Sequence, residues 1–168
     1  MPPPHPDAAR AEAADALGRV APLVTRWIER LLAAGDPPLT PAQHQALAAV
    51  ADGVGTSAEL ARRTGVSAAA VSQLLGALEA AALVRRAPGD DRRRQDLALT
   101  QAGERALAAA DATLRERLAE ALAGLPAPEA DALARSLAQV RSALAGTPPP
   151  PRPPRPPRPG PPPRPPRR

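Results

Sequence analysis

The chain has no cysteine, no phenylalanine, no tyrosine and no lysine; tryptophan and methionine occur once each and histidine twice. Without cysteine there can be no disulfide framework, no zinc-thiolate site and no thiol redox sensor. Two histidines, His5 and His44, do not suffice for a metal site, so no metal and no other cofactor is expected. No apolar run reaches 18 residues, and the opening "MPPPHP" lacks the charged and apolar regions of a signal peptide. The expectation is a soluble, cytoplasmic protein with no membrane partner. There is no His–carboxylate constellation and no Gly-rich phosphate loop, so an enzyme is not expected. All 22 basic residues are arginine. With the excess of Ala and Pro, this resembles the codon bias of a GC-rich genome and by itself carries little functional meaning.

What is present divides the 168 residues into three parts. Residues 1–6 and 147–168 are dominated by Pro, the latter with Arg, and are expected to be disordered. The foldable body is residues 7–146. The formal charge of +5 belongs to the tail, which carries Arg152, Arg155, Arg158, Arg164, Arg167 and Arg168 and no acid. The body then holds 16 arginines against 17 acids. A basic pI is therefore no evidence that the body binds polyanions in general, and basic residues matter where they cluster.

The body reads as mainly α. Leu17, Val20, Val24, Ile28, Leu31 and Leu32 form a helical stripe over about residues 8–34. Pro22 should kink or restart that helix. Thr40 caps a short helix with Pro41 at its first position and Leu47 and Val50 on its inner face. Next, Thr56 or Ser57 caps a helix with Glu59 in its first turn; Leu60 and Ala61 face inward, and Gly65 stops it with a left-handed turn. Ser67 caps another helix, buried through Val71, Leu74, Leu75 and Leu78. Counted from Ser57, Ala61 is fifth, Gly65 ninth, Val71 fifteenth and Leu74 eighteenth. Close helix approach, a turn and two packing residues thus fall where a helix-turn-helix needs them; an ordinary helical hairpin is the alternative.

"LVRRA", "PGDD" and "RQDLALT" then read as strand, turn and strand, with Leu97 and Leu99 on one face and Asp96 and Ala98 on the other. A helix-turn-helix followed by such a hairpin is a winged helix, here about residues 41–100 with a two-stranded wing. Thr100 caps a long helix carrying Leu107, Leu114, Leu118 and Leu122. "GLPAP" breaks it, and Pro128, at a first position, starts a last helix with the stripe Leu133, Leu137, Val140 and Leu144. With so few aromatics the monomer's core is thin. The flanking helices, about 8–34 and 101–145, are expected to bury themselves against a second copy.

These residues resemble the MarR-type transcriptional regulators from about Leu17 to Leu144. The similarity is strongest in "LARRTGVSAAAVSQLLGALEAAALVRRAPGDDRRRQDLALTQAGERAL". The wing carries Asp91-Arg92-Arg93, and "LALTQAG" is similar to the family's L-x-L-T-x-x-G. The resemblance implies a homodimer whose terminal helices form the dimer, a pseudo-palindromic operator in double-stranded DNA, and release by a small-molecule effector or another signal. The second helix departs from the family pattern: it begins Ala68-Ala69-Ala70, and Gln73 stands where many relatives carry a basic residue.

On this reading Ala68, Ala69, Ser72 and Gln73 face the major groove, Gln73 toward adenine, and Ser67 caps the helix and touches phosphate. At the wing, Arg93 inserts into a minor groove, Asp91 orients it by a charge-assisted hydrogen bond, and Arg92 and Arg94, with Arg85 or Arg86, lie near phosphates. A solvated charge run is the alternative for the wing, and a solvated side chain for Gln73. Trp27, Ile28 and Leu31 are candidate ligand lining, with a core role as the alternative. The tail's Arg152, Arg155, Arg158, Arg164 and Arg167 share one multiple of three, the period of polyproline II, and would form a basic ridge for phosphates. A ligand for a Pro-binding domain and a solubilising tail are the other readings. For the whole protein the alternatives to an operator-binding regulator are a winged-helix protein-interaction module and a sequence-neutral chromosome-binding protein.

Overall fold

A computed structural model describes residues 6–88 and 95–146. The expected wing-tip residues Asp91, Arg92, Arg93 and Arg94 lie outside the described residues, as do the first five residues and the Pro/Arg tail. The chain divides into two compact units, Met1–Pro126 and Ala127–Arg168.

The first unit begins with α1 (Pro6–Ala33), one unbroken helix of 28 residues. The expectation that Pro22 would restart it is therefore corrected. Proline removes one backbone hydrogen bond, but good helix formers, several alanines before it and Leu23, Arg26, Glu29, Arg30, Leu31 and Leu32 after it, carry the helix through. Then come α2 (Pro41–Ala51), α3 (Ser57–Thr64), α4 (Ala68–Ala80), β1 (Val84–Pro88), β2 (Gln95–Leu99) and α5 (Gln101–Ala121). Each start has a local cause. Thr40 and Gln43 close a capping box on α2, with Pro41 in the first turn. Thr56, not Ser57, caps α3 by accepting from the Glu59 amide. Ser67 caps α4 by accepting from Ala70 N, and Thr100 caps α5 by accepting from Gly103 N. Gly65 ends α3 at φ 67°, in the left-handed region where a Cβ is unfavourable.

The core of this unit is aliphatic. Leu47, Leu60, Val71, Leu75 and Leu78 are fully buried, one or more from each of α2, α3 and α4. Each such side chain contributes about 1.5–3 kcal/mol by leaving water. Leu83, Val84 and Leu97 seat the hairpin on this core, and Leu107 seats α5. From α1 only the end joins: Leu32 is buried and Ile28 packs beside it, whereas Leu17, Val20, Leu23 and Val24 are exposed.

β1 and β2 pair antiparallel, with Val84 opposite Leu99, Arg85 opposite Ala98 and Arg86 opposite Leu97. The Leu97 amide also donates to the Gly55 carbonyl at 2.8 Å, which ties the hairpin to the loop between α2 and α3. Where α4 meets β1, Leu83 N bonds to Leu78 O and Ala82 N to Glu79 O. This is a Schellman closure, with Ala82 at φ 55° in the position that favours glycine. The Leu83 carbonyl accepts from Thr100 N at 3.1 Å, and the Ala82 carbonyl accepts from the Thr100 hydroxyl at 2.6 Å. Gly103, one turn into α5, lies so close that any Cβ on it would overlap the Leu83 carbonyl oxygen. A second bridge joins α2 to α5, where His44 Nε2 and Asp111 Oδ1 are 2.7 Å apart.

In the second unit the described element is α6 (Ala127–Gly146). It starts one residue before Pro128, which still falls in the first turn, where the missing N–H has no helical partner to lose. Leu133 and Val140 are half-buried, while Leu137 and Leu144 are exposed.

Gly103→Ala should cost about 3 kcal/mol or more, or prevent folding, because the clash is with backbone that cannot rotate away. Ala82→Gly should act in the opposite sense and stabilise by about 0.5–1 kcal/mol, through relief of the left-handed strain. Urea unfolding midpoints of the two variants check both signs.

Candidate nucleic-acid interface

α3, the turn through Gly65 and α4 form a helix-turn-helix whose second helix turns one face to the core and the other to solvent. Val71, Leu75 and Leu78 are buried and Leu74 half-buried. On the opposite side Ala69, Gln73, Gly76 and Ala80, spaced four, three and four, are exposed, and Ser72 and Ala77 flank them. Of the residues expected to face DNA from this element, Ala68, Ala69, Ser72 and Gln73 all lie exposed on α4, and Ser67 is exposed at its N-cap. Gln73 has no hydrogen-bond partner among the described residues. Its amide is thus free to present a donor and an acceptor outward.

Arg86 is placed differently. The two-residue period of β1 puts it on the face of Val84 and opposite Leu97, and its Nε donates to Glu79 Oε1 of α4 at 2.8 Å. The pair is about half exposed, so its net contribution to stability is small. Its main consequence is geometric: it holds the guanidinium against the end of α4 and occupies the helix's one carboxylate. Arg85, opposite Ala98 on the other face of the hairpin, is exposed and has no partner among the described residues. Of the two arginines at the wing base, Arg85 is therefore the one left available for a phosphate. Glu79 was not singled out from sequence; strand alternation alone would have turned Arg86 toward the α4 side. On α3, Arg63 is similarly engaged, by Asp52 at the end of α2, whereas Arg62 is exposed.

The sequence profile of the MarR family matches residues 38–94, from just before α2 to just before β2. The match covers the winged helix, about a third of the chain. Solved MarR structures share the fold well beyond that segment. A MarR family protein from Bacillus stearothermophilus is similar over 83% of this chain and 98% of its own, at 22% identity and TM-score 0.73. A MarR family protein of Mycobacterium tuberculosis, solved in complex with DNA, is 28% identical over 76% of this chain and 95% of its own, with TM-score 0.64. The same mycobacterial protein in complex with p-aminosalicylic acid aligns over 76% of this chain and 97% of its own, at 28% identity and TM-score 0.63. Among curated proteins, none matches the chain in sequence. The L-x-L-T-x-x-G motif of the MarR resemblance also acquires a physical content. Leu97 and Leu99 seat β2, Thr100 caps α5 and bonds back to residues 82 and 83, and Gly103 permits the close approach.

Of the three candidate ligand-lining residues, Leu31 borders a cavity of ≈ 80 Å³ between the end of α1, the loop through Gly35 and Pro37, and α5, where Ala106, Ala110 and Leu114 complete the wall. Trp27 and Ile28 are half-buried and do not line it; Ile28 packs on the core. Among the described residues no cluster of three or more His, Asp or Glu could hold a metal ion, and no helix is long and apolar enough to cross a membrane.

Proposed function

We propose that this protein is a transcriptional regulator that binds double-stranded DNA as a homodimer on a pseudo-palindromic operator. The observation that carries the reading is the outer face of α4 on a winged helix similar to that of the MarR family: a capped helix, seated through its inner side, whose outer side is exposed and whose Gln73 amide has no partner among the described residues. A helix so mounted fits the major groove with its first turns at the base edges. The relative solved with DNA supports the same use of this fold. Ser67, with Arg85 at the wing base, is assigned to phosphates. At the wing tip Arg93 is assigned to a minor groove, Asp91 to its orientation, and Arg92 and Arg94 to phosphates. Arg86 contributes there only if it leaves Glu79.

Homodimerisation is supported by apolar surface that is exposed among the described residues. Leu17, Val20 and Leu23 on α1 are 42%, 50% and 63% exposed, and Leu137 and Leu144 on α6 are 50% and 65% exposed. Side chains of this kind recurring at helical spacing are expected to be covered in the working assembly. A small-molecule effector is the accompanying reading. The cavity beside Leu31 and the relative solved with p-aminosalicylic acid support it. A protein-docking use of the same winged helix has no specific observation in its favour.

Footprinting on genomic fragments, including the region upstream of the protein's own gene, should protect a palindrome. Arg93→Ala should abolish most of that protection while the protein remains a folded dimer by sedimentation; unchanged affinity in a gel-shift titration would remove Arg93 from the assignment. Truncation to residues 1–147 tests the arginine tail. If all six tail arginines meet phosphates, the slope of log K against log salt should fall in magnitude by about five per chain. Equal slopes would exclude the tail from the DNA contact.

A further inference from the structure

The chemistry of α4 limits which base pairs it can read. The commonest major-groove contact to a specific base is an arginine or lysine forked onto guanine O6 and N7. Neither α4 nor the turn before it, residues 65–67, contains a basic residue. The one residue of α4 that could accept from cytosine N4 with full charge is Glu79, and its carboxylate is held by Arg86 at 2.8 Å. The outward stripe Ala69, Gln73, Gly76 and Ala80 then has a single polar side chain. Gln73 is exposed, has no partner among the described residues, and bears an adjacent donor and acceptor that match adenine N7 and N6. Its neighbours on the stripe are methyl groups and one glycine. Small residues bring the helix close to the groove floor, where alanine methyls meet the C5-methyl of thymine.

We infer that α4 specifies A·T base pairs, with Gln73 bound to an adenine and Ala69, one turn earlier, packed on thymine methyls, and that it makes no bidentate guanine contact. This rests on the operator-binding reading above and goes further by naming the base pairs in each half-site. Ser72, beside Gln73, can add one hydrogen bond to either kind of pair, so it does not alter the preference.

The test starts with full-length protein and duplexes selected from a random pool, which yields the half-site. The Gln73→Ala variant is selected in parallel; the residue is exposed, so the fold is retained. The selected half-site is then made in three forms: unmodified, with deoxyuridine for thymine, and with 7-deazaadenine for adenine. Deoxyuridine removes only the major-groove methyl and leaves the minor groove unchanged, so the readout isolates α4 from the wing. The position at which Gln73→Ala loses its preference should be an A·T pair, with affinity for the half-site falling about 5- to 100-fold. Deoxyuridine should weaken the wild type about threefold for each methyl lost. 7-Deazaadenine should weaken the wild type and leave Gln73→Ala unaffected. If the preference lost on Gln73→Ala falls on a G·C pair, or if deoxyuridine leaves affinity unchanged, the inference is overturned while operator binding stands. A pool with no selected sequence overturns the operator reading itself.

Discussion

One backbone carbonyl, that of Leu83, organises the junction on which the winged helix depends. It accepts from the Thr100 amide at the start of α5 and sits in the gap left by Gly103, while the amide of the same residue closes the end of α4 by donating to the Leu78 carbonyl. The end of α4, the start of β1 and the start of α5 therefore meet at one residue. Buried backbone groups must find partners, and a close approach of backbone to helix is possible only where a side chain is missing. The left-handed Ala82 is part of the same arrangement: it redirects the chain from helix to strand and offers its carbonyl to the Thr100 hydroxyl. With this junction in place, the orientation of the hairpin relative to α4 follows, and so does the relation between the two parts assigned to DNA.

Charge is distributed in the same economical way. Arg86 and Arg63 are tied to carboxylates at the ends of α4 and α2, while Arg85 and Arg62 have no ion-pair partner among the described residues. α4 itself presents almost no charge outward. Phosphate contacts supply most of the affinity in protein–DNA complexes, and base-edge contacts supply the discrimination. On the proposed reading, a neutral, small-residue α4 between basic neighbours separates those two tasks onto different elements. The near-balance of charge in the body has the same meaning: attraction to DNA would come from a few placed arginines and from the tail, not from the protein's overall field.

The scarcity of aromatic residues shapes the remainder. Aromatic side chains bury large areas individually. Without them, the core of the first unit is assembled from leucine, valine and alanine and stays small, and apolar stretches of α1 and α6 are left exposed within one chain. Those stretches are the support for the proposed homodimer.

Much of this architecture was legible in the residues alone. The caps at Thr40, Ser67 and Thr100, the left-handed stop at Gly65, the hairpin and the inward leucines all follow from interactions within a few residues, where side-chain chemistry and helical or strand period act directly. What the tertiary structure decided are contacts between residues far apart in the chain. No local pattern at Arg86 names Glu79 as its partner; only strand alternation hints at the direction. The need for glycine at position 103 comes from the carbonyl of residue 83, and the His44–Asp111 bridge joins helices separated by four other elements. Pro22 shows the converse: its local rule predicts a kink or a restart, and α1 runs through it as one helix. Local propensities write the elements, but the choice of which arginine is free, which helix face is open and where a Cβ is forbidden is made only when those elements pack.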